Sequence, residues 1–444
     1  MLYKSLNKIS KKVNFENAVK NGLANDGGLY FPLEIKYLGD KFFETITEKS
    51  NHEIAYDVIN QFVGNSIDKK NLKKIIEQTL TFDFPLIKID NKIRVLELYH
   101  GPTLAFKDVG ARFMANCLNY FNKKKKHNST VLVATSGDTG AAVANGFLGV
   151  NGTQVVILYP AGKVSDIQER QLTTNGKNII ALKVDGTFDD CQKIVKKAFL
   201  DNDLNNVLNL TSANSINVAR WLPQAFYYFF AYKEFIKDKE NNNKELCISV
   251  PSGNFGNICA GIIATKLGLP VNHFIASTNI NDTVPKFLET GEYIPKSSIQ
   301  TISNAMDVGN PSNFVRIMEI FDNDLNKFKK LFSSYSFNDS QTLEAISTVY
   351  KKHKYILDPH GAIGYLGLKK YLKENNNKTG IFLETAHPVK FSKDVERSLG
   401  FKIDKPKLIE ILIKKDKKSI EIKNYNEFKN ELLKINQMNN LTAD

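Results

Sequence analysis

The chain has 444 residues, more than one domain commonly holds, so two or three domains are expected. Hydrophobic residues make up 42% and charged residues 24%, an ordinary soluble composition, and the lack of a secretory leader pattern or an uninterrupted apolar span of ~18 residues argues against export or a membrane. The formal charge of +13 favours anionic partners, but the lysines are dispersed, Lys123–Lys126 lacks interleaved aromatics, and no nucleic-acid motif accompanies them.

In chain order, residues 1–100 read as an N-terminal α+β region. NDGGLYFP (25–32) predicts a turn and an extended segment, because Gly27 and Gly28 tolerate positive φ and Pro32 biases Phe31 away from helix. FPLIKIDNKIRVLEL (84–98) predicts a hairpin turning near Asp90-Asn91. From about residue 130, short β-rich runs alternate with helices. Strands are expected at 130–134, 154–160 and 179–184, with helices near 139–148 and 163–175. Thr187 and Asp190 suit a capping box, and Phe188, Cys191, Ile194, Val195, Ala198 and Phe199 then repeat at helical spacing.

A long helix is expected from Ile216 to Lys237, restricted by Pro223, followed by strands at 246–251, 273–277 and 381–384 and a helix near 257–267. The alternation implies an α/β fold with parallel or mostly parallel sheets, divided as 1–100, a smaller α/β domain at 101–245 and a larger one at 246–444. NKKKKHN (122–128) and KDKENNNKE (237–245) read as surface loops. Cys117, Cys191, Cys247 and Cys259 lack metal-site spacing, which points to packing residues in a reduced, cytoplasmic protein without a metal.

Chemistry concentrates in a few runs. ATSGDTGAA (134–142) and PSGNFGNICAG (251–261) each follow a strand and open a helix, so small residues present backbone amides and a helix N-terminus to an anion. In the second loop, the amides near Gly253, Asn254, Phe255, Gly256 and Asn257 suit one phosphate, and Asn257 suits a helix cap. Neither loop has dinucleotide or P-loop spacing. Lys107, in GPTLAFKDVGARF (101–113), supplies an amine for a Schiff base with pyridoxal 5'-phosphate, and Phe106 could pack beside the ring.

Asp108 reads as a partner of Lys107 or of solvent. Asp138 either orients a cofactor hydroxyl or shapes its turn. Thr385, in LETAHPVKF (383–391), reads either as a hydroxyl facing the cofactor's ring nitrogen or as a buried structural residue. His387 suits packing. In SANSINVARW (212–221), Arg220 suits a bidentate anion clamp or a salt bridge, with Lys163 the weaker clamp and His360 an ordinary loop histidine or a site residue.

Taken together, NDGGLYFP, HGPTLAFKD, ATSGDTGAAVA, NSINVAR, VPSGNFGN, NDTVP, SNAMDVGNPSN, DPHGA and TAHPVKF run through nearly the whole chain. This ordered set resembles the threonine synthase family, pyridoxal-phosphate enzymes of the tryptophan synthase β-like fold type II, in its longer enterobacterial-like form. The resemblance implies Lys107 as Schiff-base lysine, Gly253–Asn257 as the cofactor-phosphate loop and Thr385 at the ring nitrogen. It implies Ser136, Gly137 and Thr139 in a substrate-carboxylate loop, and Asn214 and Arg220 on the substrate phosphate. Asp138 departs from the asparagine common in the wider fold.

The activity implied is a carbon–oxygen lyase reaction acting on phosphate. It converts O-phospho-L-homoserine and water to L-threonine and inorganic phosphate, as the last step of threonine biosynthesis, in a monomer. Alternatives are a dehydratase or β-replacement enzyme, a phospholyase, and a non-catalytic phosphoprotein-binding protein.

Overall fold

The computed structural model describes residues 1–125, 128–241 and 244–441. Its strands are β1 (Leu2–Ser5), β2 (Val13–Asn14), β3 (Tyr30–Pro32), β4 (Leu86–Lys88), β5 (Ile93–Glu97), β6 (Ser129–Ala134) and β7 (Thr153–Pro160). β8 (Ile179–Val184), β9 (Leu210–Ser212), β10 (Glu245–Pro251), β11 (His273–Thr278), β12 (Phe332–Ser336), β13 (Lys378–Glu384) and β14 (Ile420–Ile422) complete them. Among the described residues they form a small antiparallel sheet, β2-β1-β3, and two larger sheets. The five-stranded sheet runs β14-β8-β7-β6-β9 and is parallel throughout. The six-stranded sheet runs β12-β11-β10-β13-β5-β4 and is parallel except for the β4–β5 hairpin at its edge.

Burial on both faces explains the apolar strands. Val131, Val133, Val155 and Ile157 point into the main core, whereas Leu132, Val156 and Leu158 alternate with them into a second cluster. That second cluster includes the buried Cys191, Val195 and Ala198 of helix Phe188–Leu200, which starts at the expected Thr187–Asp190 capping box. Val95, Ile275 and Phe382 similarly turn one face of the six-stranded sheet towards helices Asp339–His353 and Pro359–Glu374. The four cysteines are free and buried.

Two segments cross the expected domain limits. The hairpin at 86–97 is built into the six-stranded sheet, where β5 lies beside β13, instead of staying with the N-terminal region. β14 and helix Tyr425–Leu441 belong with the five-stranded sheet, because Ile422, Phe428 and Leu432 fill its second cluster. The long helix expected at 216–237 is broken. Val218–Trp221 passes through a 3-10 turn containing Pro223 before Ala225–Lys237 resumes, since proline has no amide to donate. Of the two expected surface loops, Lys126, His127, Asn242 and Asn243 lie outside the described residues. The first loop's described start, 122–125, still belongs to helix Lys107–Lys125, and Lys239–Asn241 is a 3-10 turn.

Candidate functional site

The carboxyl ends of the parallel strands of both large sheets open onto one cavity, the position that open α/β sheets reserve for ligands. Beyond β5, the chain folds back so that Phe106 N–H donates to Thr385 O at 3.0 Å and His387 N–H to Leu104 O at 3.1 Å. This pairing lays 104–107 beside the residues that follow β13. Lys107 thus opens helix Lys107–Lys125 next to Thr385, with both in the cavity lining. Its Nζ stands 4.9 Å over the Phe106 ring and 3.8 Å from Asp138 Oδ2. Burial pushes the Lys107 amine below the ordinary lysine range, against the pull of Asp138 and with help from Lys390 and Arg220.

Asp138 begins the helix after β6 and is 2% exposed. Burial favours its neutral form, but Lys390 and then Lys107 outweigh this and hold the carboxyl well below the usual range. Lys390 Nζ lies 2.6 Å from Asp138 Oδ1, and Gln168 Nε2 donates to the same oxygen at 2.9 Å. In this loop Ser136 and Thr139 face the cavity, whereas the Gly137 and Gly140 amides are both taken by Thr135 Oγ1. Gly137, expected to meet substrate, instead sits against Gln168 with φ +131, where any side chain would collide.

Beyond β10, Phe255 takes a left-handed conformation (φ 59) and caps helix Gly256–Lys266, whose N-terminus faces the cavity. Asn257 therefore does not cap this helix, and its Oδ1 accepts from the Tyr227 and Tyr228 hydroxyls at 2.7 Å each. Its Nδ2 has no partner among the described residues, nor does Nε of Arg220. Both are buried donors in the cavity lining and suit an anionic ligand. Arg220 is 2% exposed and spends Nη1 on Ala213 O at 2.8 Å. Burial lowers its pKa to about 10, against the pull of Asp108.

Asn214 also lines the cavity, yet its amide is braced on the backbone of Ala134, donating to O at 2.7 Å and accepting from N at 3.2 Å. Lys163 is exposed in the turn after β7 and does not line the cavity, because Gly162 (φ +68) turns the chain outward there. Asp108 lies beneath the site, accepting from Thr103 N and Oγ1 at 2.9 and 2.6 Å. His387 caps the next turn by accepting from Val389 N at 3.1 Å, and burial lowers its pKa to about 4. Among the described residues no cluster of His, Cys, Asp and Glu has the makings of a metal site.

Further neighbours complete the cavity wall. His360 lines the cavity, with Nδ1 2.5 Å from Asp358 Oδ1 and Nε2 accepting from Ala305 N at 3.2 Å. Ala305 and Met306 back directly onto Gly253. The buried Arg316 donates to the carbonyls of Tyr30, Ser215 and Ile216, tying the N-terminal sheet to the cavity wall. DPHGA and SNAMDVGNPSN signalled His360 and Ala305–Met306. TAHPVKF carried Lys390 without marking it as a site residue, and Gln168 showed only a capping-box spacing with Ser165; both are ordinary polar residues until the fold buries them.

Three family models match the chain: "Threonine synthase N terminus" at residues 2–80, "Pyridoxal-phosphate dependent enzyme" at 81–383 and "Threonine synthase, C-terminal" at 361–431. Threonine synthase of Buchnera aphidicola from Acyrthosiphon pisum is 47% identical over 399 residues, covering 89% of this chain and 91% of that protein. The crystal structure of threonine synthase from Escherichia coli superposes with a TM-score of 0.92 at 38% identity, covering 98% and 100% of the two chains. The pyridoxal-phosphate-bound threonine synthase from Brucella melitensis gives 0.91 at 33% identity, covering 98% and 99%.

Proposed function

The chain belongs to the threonine synthase family of fold type II enzymes and converts O-phospho-L-homoserine to L-threonine with pyridoxal phosphate, and from this premise we propose which of its residues do the work. One observation carries the assignment. The Lys107 amine, depressed by burial, shares a cavity with a helix N-terminus and with two buried donors that lack partners, Asn257 Nδ2 and Arg220 Nε. When bound, the cofactor withdraws electrons from the substrate's Cα and Cβ, which makes their protons removable.

The residues present fit that group. Lys107 would hold it covalently, the amides of Gly253–Asn257 would take its phosphate, and the Thr385 hydroxyl would face its ring nitrogen. A hydroxyl partner leaves the ring less positive than a carboxylate would, which favours controlled elimination over simple proton return. Once substrate occupies the site, the freed Lys107 Nζ would take the proton from Cα. Its lowered proton affinity supports that role near neutral pH.

Arg220 would bind the substrate phosphate through the free edge of its guanidinium. Ser136 and Thr139 would hold the carboxylate from the loop opposite, with Asn214 fixing the loop that carries Arg220. Phe106 forms part of the floor beside Lys107. The same reading places a monomer in the cytoplasm, and the four buried free cysteines support a reducing compartment. No described helix is long and apolar enough to cross a membrane.

The test is to measure threonine and phosphate together from O-phospho-L-homoserine, with Lys107→Ala as the control. Equal yields that vanish in the variant are expected. Phosphate accompanied by a keto acid would show a phospholyase, and an undiminished variant would remove Lys107 from the chemistry.

A further inference from the structure

Lys390 is the second lysine at this site, and no cavity wall exposes it. Its side chain is 0% accessible, and Nζ also donates to the Thr103 carbonyl at 3.0 Å. An ammonium buried this deeply needs a counter-charge, which Asp138 Oδ1 supplies at 2.6 Å. Gln168 adds a donor to that same oxygen. The remaining oxygen, Oδ2, points to Lys107 Nζ at 3.8 Å. One carboxylate is therefore shared unequally between two lysines, with the close contact on the lysine that does no chemistry.

Resting on the role given to Lys107 above, we propose that Lys390 is a positioning residue that neutralises Asp138, so that Lys107 faces a carboxylate whose charge is already compensated and can release its proton near neutral pH. Without Lys390, Asp138 would attract the Lys107 proton with its full charge. Lys107 is faced by Asp138, Lys390, Arg220 and Asp358, and Lys390 in turn by Asp138, Asp108 and His387. The opposing directions at Lys107, upward from Asp138 and downward from Lys390, agree with this arrangement. A neutral amide at position 138 would need no such partner, so aspartate and lysine form one unit.

The experiment uses the cofactor-loaded protein and follows its visible absorbance against pH, which reports the proton on the nitrogen that Lys107 contributes. The pH profile of kcat/KM is recorded beside it. Lys390→Met should move the absorbance midpoint up by about one pH unit or more, the usual effect of an uncompensated opposite charge at this range. Asp138→Asn/Lys390→Met should return it to within about half a unit of the parent, and Lys390→Arg should keep it there. A lysine that merely fills space would not be rescued by removing Asp138. An unmoved midpoint in Lys390→Met, or a double variant no better than the single, overturns the proposal. Should Lys390→Met fail to fold, a double variant that folds and titrates like the parent sustains it, and one that also fails overturns it. Failure of the Lys107 reading is separate, because it would show as undiminished turnover in Lys107→Ala.

Discussion

At the residue scale, Lys107 and Arg220 make separable predictions. Lys107→Ala removes both the covalent anchor and the proton carrier, so kcat should fall by at least about 10²–10⁴-fold in single-turnover assays with folded protein. Arg220→Lys keeps the charge but loses the guanidinium edge that Nε leaves free. The loss should be about 1.5–3 kcal/mol of charged hydrogen bonding, seen as a roughly tenfold to hundredfold lower kcat/KM, with the cofactor spectrum unchanged. Asp108 predicts a pH effect on stability. Burial raises its folded pKa to about 6, with Thr103 opposing. The native state therefore holds this proton more tightly than the unfolded chain, and the resulting stability is complete below about pH 4 and is lost as pH rises through about 6. Relative to Asp108→Asn, the parent should gain about 2 kcal/mol between pH 7 and pH 4 in urea titrations. Lys107, Thr385 and Arg220 were legible as members of one cavity, because an amine, a hydroxyl just beyond a strand and a guanidinium near a helix start are recognisable in their own motifs. Lys390 and Gln168 were not, because their importance comes from burial beside Asp138, a property of contacts between distant segments.

At the scale of elements, the phosphate loop and the segment at 303–308 form one wall. A Cβ on Gly253 would lie 2.7 Å from Met306 Cα and 2.8 Å from Ala305 O, both backbone atoms that cannot swing aside. Gly253→Ala should force the two segments apart at a cost of about 1–3 kcal/mol, weakening cofactor binding roughly 5–150-fold in equilibrium dialysis while leaving the helices intact by circular dichroism. Thr187→Ala tests the cap of helix Phe188–Leu200, whose first residue, Phe188, lines the cavity. It removes the Asp190 amide's acceptor and should cost about 1 kcal/mol of stability in urea titrations. The Thr187–Asp190 capping box and the β-branched strands were readable because their signals are local. β12 (FSSYS) and β14 (IEI) were missed, since such short or polar runs become strands by pairing with β11 and β8.

At the scale of the whole molecule, the sequence disclosed two parallel sheets but not their membership. Sheet membership depends on pairings between distant residues, such as β5 with β13 and β14 with β8, which periodicity does not encode. The charge of +13 acts at this scale too. Long-range attraction should raise the encounter rate with a phosphorylated substrate, so kcat/KM should fall as salt rises from about 10 mM to about 150 mM, while kcat stays level.

The place of β5 in the six-stranded sheet also bears on how the protein is made. Its neighbour β13 leaves the ribosome about 280 residues later. At about 5–20 residues per second, the hairpin waits roughly 15–60 s with one edge unpaired. The nascent chain thus carries an open strand edge through most of its synthesis, a natural point of attachment for chaperones, and stalled translation short of residue 384 would leave that edge uncovered.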